Sequence, residues 1–237
     1  MKRTIRLSAF VAVAIGLAFG SCQKEESGKT NNGTNGGGQV EMEWVDLGLP
    51  SGAQWAAFNL GASAPEESGD FYAWGETETK KAYKWSTYKY CTVDAEGNLL
   101  TLTKYNTDTK YGAVDSLVTL QPVDDAATAK LGAGACIPTS DDWEELLRNT
   151  TSVYDSVNGV KGRRYTAANG NSIFIPVTGY YRDTTYVVLS SGSYWSSSLY
   201  EGNPVMPTYF QFGKSREMLL FGAARCSGTS VRAVRKE

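Results

Sequence analysis

The sequence predicts an α+β fold, mostly short antiparallel β-strands and irregular loops with two short α-helices. Three observations lead there. Short segments rich in Val, Ile, Tyr, Phe and Trp recur along the chain, Gly, Asn and Pro turn signals separate them, and helical periodicity is confined to two places.

Strands are expected at Glu43–Leu49, Gln54–Leu60, Asp70–Trp74, Ser172–Val177, Tyr186–Leu189, Tyr194–Ser198, Thr208–Phe212, Met218–Phe221 and Ser230–Val234. Leu49-Pro50-Ser51-Gly52, Asn158-Gly159 and Asn169-Gly170 punctuate them, the last two being hairpin-type pairs. A first helix is expected from Asp125 to Leu131, with Asp124 as cap and Gly132 as stop. A second follows Pro138-Thr139. Thr139 caps it, Asp141 and Asp142 load its positive first turn, and Trp143, Leu146 and Leu147 form one apolar face.

The N-terminus reads as a leader. Lys2, Arg3 and Arg6 precede an apolar run from Leu7 to Gly20, shorter than the ~20 residues a spanning helix needs. Leu17-Ala18-Phe19-Gly20-Ser21-Cys22 resembles a lipobox, which makes residues 1–21 a lipoprotein signal peptide and Cys22 the acylated residue. Residues 22–41 contain almost nothing that can be buried and are expected to form a flexible tether. The folded domain then spans 42–237. Lys24-Glu25-Glu26 resembles the export signal by which Bacteroidetes lipoproteins reach the outer face of the outer membrane. The expected partner at this end is therefore the membrane, through acyl chains on Cys22, and the expected location is the cell surface.

Composition narrows the chemistry. The chain has 23 Lys+Arg against 25 Asp+Glu, and no Lys/Arg cluster of the kind nucleic acid requires. It has no histidine, which removes Ser-His-Asp and Cys-His nucleophile activation and the commonest zinc ligand. The adjacent carboxylates Glu66-Glu67, Asp124-Asp125, Asp141-Asp142 and Glu144-Glu145 are expected at helix starts and on solvated faces, because neighbours in sequence splay apart. No catalytic residue, metal site or cofactor is expected. Beyond Cys22 there are Cys91, Cys136 and Cys226; three pairings are open, and Cys136 with Cys226 is preferred because both sit at the ends of buried β segments.

The segments occur together and in order. Trp44-Val45-Asp46-Leu47-Gly48-Leu49-Pro50-Ser51-Gly52 is followed by Gly69-Asp70-Phe71-Tyr72-Ala73-Trp74-Gly75-Glu76-Thr77 and Asp124-Asp125-Ala126-Ala127-Thr128-Ala129. Then come Trp143-Glu144-Glu145-Leu146-Leu147, Asn169-Gly170-Asn171-Ser172-Ile173-Phe174-Ile175-Pro176, Tyr194-Trp195-Ser196-Ser197-Ser198 and Ser230-Val231-Arg232. This pattern, from Trp44 to Val234, resembles the Fibrobacter succinogenes major paralogous domain of Bacteroidetes lipoproteins. The resemblance implies a C-type-lectin-like body with two helices, a small sheet and a long irregular region. Such a fold hosts sugar binding, protein binding and oxidation alike. The chain lacks the close cysteine pair of the oxidising relatives and the Glu-Pro-Asn or Trp-Asn-Asp motif of calcium lectins.

The stretch from Leu199 to Thr229 departs from the family pattern and is expected to be an irregular, ligand-facing loop. Its candidate contacts are Tyr200, Glu201, Asn203, Met206, Tyr209, Gln211, Lys214 and Arg216. In Thr208–Phe212, alternation turns Phe210 and Phe212 inward and Tyr209 and Gln211 outward. Tyr83, Trp85 and Tyr88, interleaved with lysines, are secondary candidates. Asp115-Ser116-Leu117, Asp155-Ser156-Val157 and Asp183-Thr184-Thr185 resemble Bacteroidetes O-glycosylation sites at Ser116, Ser156 and Thr184. Two functions stand open, a surface module binding a glycan or a host or phage protein, and a structural or decoy surface protein with no dedicated ligand.

Overall fold

Hairpins form where residues that tolerate positive φ stand between strand segments. Asn158 (φ +48°) and Gly159 (φ +84°) close a two-residue turn that joins Thr150–Val157 to Val160–Ala167 along their whole lengths. Both central residues of such a turn need positive φ, which Asn and Gly supply cheaply. Around Gly170 the chain turns again into Ser172–Pro176, completing a three-stranded antiparallel sheet. The structure, a computed structural model, describes residues 41–236. The expectations for the leader, Cys22, the tether to residue 40 and Lys24-Glu25-Glu26 lie outside them. No helix among the described residues is long and apolar enough to cross a membrane.

The fold is α+β, built from several small sheets and two α-helices. A five-stranded sheet runs in the order Glu217–Leu220, Pro207–Phe212, Gly192–Leu199, Thr229–Ser230, Phe71–Tyr72, antiparallel except where Gly192–Leu199 meets Thr229–Ser230. A four-stranded sheet places Trp44–Asp46, Gln54–Ala56, Val234–Arg235 and Ala135–Cys136 side by side. Two further hairpins, Cys91–Val93 with Leu99–Leu102 and Tyr180–Arg182 with Thr185–Val187, project from the body. Apart from the first of these hairpins, irregular chain with short 3-10 turns fills the interval from Tyr72 to Ala126.

The strand Gly192–Leu199 divides the interior. Successive side chains point to opposite faces, so Tyr194 joins a cluster with Trp55, Trp143, Phe210 and Phe212, while Trp195 joins one with Tyr72, Trp74, Tyr105 and Val231. Each buried aromatic removes a large apolar surface from water, worth about 2–3 kcal/mol for a fully buried large side chain. The polar edges are satisfied reciprocally: the Trp74 indole donates to the Ser196 carbonyl at 2.8 Å and the Trp195 indole to that of Tyr72 at 2.7 Å. Helix α2, Ser140–Asn149, presents Trp143 and Leu146 to the second cluster, and Trp143 stacks on Phe210 with 4.3 Å between ring centroids. Thr139 caps it in a reciprocal box with Asp142.

Four expectations need correction. Helix α1 is Ala126–Leu131, and its cap is Asp125, not Asp124; the Asp125 carboxylate accepts from the backbone of Ala127, Thr128 and, across the chain, Ile137. Asp124 and Asp125 are both buried rather than solvated, because Asp124 turns the other way and receives Tyr105 Oη at 2.7 Å, Lys104 Nζ at 2.5 Å and the Tyr90 hydroxyl. Cys136 and Cys226 do not pair. The three cysteines among the described residues are free thiols, and these two belong to different apolar clusters. The Leu199–Thr229 stretch is not an irregular loop throughout, since Pro207–Phe212 and Glu217–Leu220 form a hairpin at the sheet edge.

Candidate functional site

The Tyr180–Val187 hairpin arises from the tight bend at Asp183 (φ +52°) and Thr184, and pairs back through Asp183 with Tyr83. Behind it, Tyr181 and Tyr186 pack edge-on or tilted around Phe71, with centroids 5.1–5.6 Å apart. This arm, the strand Pro207–Phe212 and the segment Gly222–Thr229 enclose a cleft of about 570 Å³. That is room for a small-molecule-sized ligand.

Aromatic side chains wall the cleft. Tyr209, Tyr83, Trp85 and Tyr180 all line it. Tyr209 stands on the outward face of its strand, opposite the fully buried Phe210 and Phe212, and its hydroxyl bonds to no other described residue. Burial, with Tyr180 nearby, pushes its phenol up, so it stays a neutral donor. The Tyr83 ring faces the cleft while its hydroxyl is committed to the Phe71 carbonyl. Glycine is required opposite that ring: a Cβ on Gly228 would stand 2.8 Å from three of its carbons.

Polar groups stand among the rings. Ser227 and Thr229 are 7% and 2% exposed and line the cavity, and their hydroxyls bond to no described residue. Gln211 and Ser193 also line the cleft, joined by a bond from Gln211 Nε2 to Ser193 Oγ at 3.3 Å. The Lys84 ammonium lies 3.5 Å from the Asp183 carboxylate. Arg182 Nη2 donates one hydrogen bond to Tyr180 Oη at 3.2 Å, the guanidinium lies over that ring, and it has no carboxylate partner among the described residues.

The structure thus joins part of each candidate set and disperses the rest. Tyr209 and Gln211 from the first set meet Tyr83 and Trp85 from the second in one cleft. Tyr83 and Tyr88 are buried rather than outward: Tyr88 is core, its hydroxyl on the Trp74 carbonyl at 2.8 Å, and does not line the cleft. Lys214 and Arg216 sit in the exposed hairpin turn, where Arg163 holds the carbonyls of Gly213 and Lys214 at 3.1 Å. Tyr200, Glu201, Asn203 and Met206 belong to the turn at the opposite end, with Tyr200 stacked on the exposed Phe221 at 3.9 Å and the Asn203 side chain bound to Val205 N. Ser116, Ser156 and Thr184 are all exposed. Tyr180, Arg182, Ser227 and Thr229 were not foreseen; the turn pair Asp183-Thr184 beside Tyr180-Tyr181-Arg182 was the available signal.

No family model, curated protein or solved structure matches the chain.

Proposed function

We propose that this chain is a lipid-anchored surface binding module of C-type-lectin-like fold, which takes a glycan or a short protein segment into the aromatic cleft. The observation that carries the reading is the convergence of Tyr209, Trp85, Tyr83 and Tyr180 with the hydroxyls of Ser227 and Thr229, which bond to no described residue, in one cavity. Flat rings cover C–H surfaces while hydroxyls and amides fix orientation, the usual division of labour in a small-ligand site. Two helices, small sheets and the irregular stretch between Tyr72 and Ala126 are in keeping with the lectin-like fold that the sequence resemblance implies. The lipobox and charged leader support anchoring through Cys22 at the outer membrane.

The way the acids are used supports a non-catalytic reading. Asp124 and Asp125 are committed to Tyr, Lys and backbone partners away from the cleft, and Asp183 is paired with Lys84. Asp124 and Asp125 are thus not placed to exchange a proton with a ligand; Asp183 lines the cleft with its Oδ1 accepting no hydrogen bond, but among the described residues no second acid stands beside it there to complete an acid/base couple.

The test is a glycan and host-protein binding screen with the full chain in detergent, followed by Tyr209→Ala and Trp85→Ala. Loss of an anchoring aromatic costs about 2 kcal/mol, roughly thirtyfold in affinity, with melting unchanged. Parental affinity in both variants would remove the cleft from consideration. Absence of any ligand would favour the structural or decoy reading.

A further inference from the structure

We infer that the cleft selects saccharides bearing a carboxylate, with Arg182 as the group that reads the acid. The inference rests on the cleft being the binding site and adds the ligand's charge. The chain is net negative, 23 basic against 25 acidic residues, so a cationic group left over in a cavity is a local exception to its charge balance. Three charged residues line the cleft. Lys84 and Asp183 form an ion pair across 3.5 Å, in which Asp183 Oδ1 accepts no hydrogen bond. Arg182 remains, and nothing acidic among the described residues answers it.

Its placement suits the role. Arg182 lies on the Tyr180 ring, 5.7 Å from guanidinium carbon to centroid, and its bond to Tyr180 Oη uses a single N–H. The ring contact and the hydrogen bond restrain the guanidinium, and the remaining N–H donors form a fork of the shape a carboxylate accepts in two parallel bonds. Pre-ordering on a ring lowers the entropy lost on binding.

The rest of the lining favours a sugar over an acidic peptide as the bearer of that carboxylate. A peptide in extended form is held by backbone groups of an open sheet edge, whereas this cleft offers ring faces and the hydroxyls of Ser227, Thr229 and Tyr209, which bond to no described residue. Ring faces match the C–H side of a pyranose, and neutral hydroxyls exchange hydrogen bonds with its hydroxyl groups in either direction. The Tyr209 phenol, held neutral by burial, can act as donor or acceptor.

The experiment titrates the full chain in detergent with trigalacturonate and sialyllactose, each against its carboxyl-free counterpart, galactotriose and lactose. At least one acid should bind about tenfold or more tightly than its neutral partner, a preference weakened by salt. Arg182→Gln should erase the preference and leave affinity for the neutral partner and the melting temperature unchanged. Equal binding of acid and neutral members, a preference that survives in Arg182→Gln, or binding to neither acid would overturn the inference. So would a triglutamate peptide binding as well as the acidic sugars. If Trp85→Ala and Tyr209→Ala weaken every sugar while Arg182→Gln does nothing, this inference alone fails. If those two variants change nothing, the cleft itself is not the site.

Discussion

Arg232 and Asn59 meet in the interior with 2.9 Å between guanidinium Nε and carboxamide Oδ1, and both side chains are fully buried. Arg232 also donates to the carbonyls of Ala56 at 2.9 Å and Phe174 at 3.0 Å, so one residue ties the C-terminal chain to the four-stranded sheet and to the three-stranded one. Asn59 in turn donates to the carbonyls of Glu67 and Ser68. Burial lowers the guanidinium to about 10, so it remains cationic at neutral pH, neutralised only by these oxygen dipoles.

Replacing that fork leaves three buried acceptors without donors. Each buried polar group stranded in this way costs about 1–3 kcal/mol. Arg232→Met, which conserves length but not donors, should lose about 3–5 kcal/mol in denaturant unfolding. A midpoint within 0.5 kcal/mol of the parent, a window of about the scatter of surface substitutions, would contradict the role assigned to the fork.

Asp124 makes stability depend on pH. Burial alone would raise its carboxyl, but hydrogen bonds from Lys104, Tyr105 and Tyr90 outweigh burial and hold it below the ordinary value. A depressed folded-state pKa means stability that is present above the unfolded value of ~3.9 and lost as pH falls through the folded one. Asp124→Asn should therefore cost about 2–3 kcal/mol at pH 7, and the gap to the parent should narrow as the pH is brought below the unfolded value. A gap independent of pH would show that the carboxylate's charge is irrelevant.

The three thiols should be present as such. Burial pushes Cys136 up to about 11 and Cys226 up to about 12, and raises Cys91 as well. Thiolate is the reactive form, so a disulfide-exchange reagent should label the native domain slowly and all three cysteines promptly once it is unfolded. A mass gain of ~2 Da on reduction would reveal a disulfide and refute this, each S–S bond taking up two hydrogens as it opens.

Anchoring is tested at the other end of the chain. Cys22→Ala removes the acyl acceptor while leaving the leader to direct export, so the protein should leave the membrane fraction. Retention after an alkaline carbonate wash would rule the lipid anchor out.

Local physics made much of this protein legible from its residues. Thr139 and its helix, the Asn158-Gly159 and Asn169-Gly170 turns, and the inward Phe210 and Phe212 depend on groups within a few positions of one another, and periodicity reports them directly. The strands Thr150–Val157 and Val160–Ala167 escaped because polar residues mask their pattern: Arg163 is nearly buried, its charge met by Glu217 and by the carbonyls of Gly213 and Lys214. The choice between Asp124 and Asp125 as cap was likewise decided by distant partners, Ile137 for one and Tyr90, Lys104 and Tyr105 for the other. The sequence by itself determined the fold class, the second helix and its cap, and the face on which Tyr209 lies, because these are properties of neighbouring residues. Only the tertiary structure decided that Tyr209, Trp85, Arg182 and Thr229 share one cleft. They are separated by up to 144 positions (229 − 85), and it is burial of the clusters beneath them that draws four separate segments to the same place.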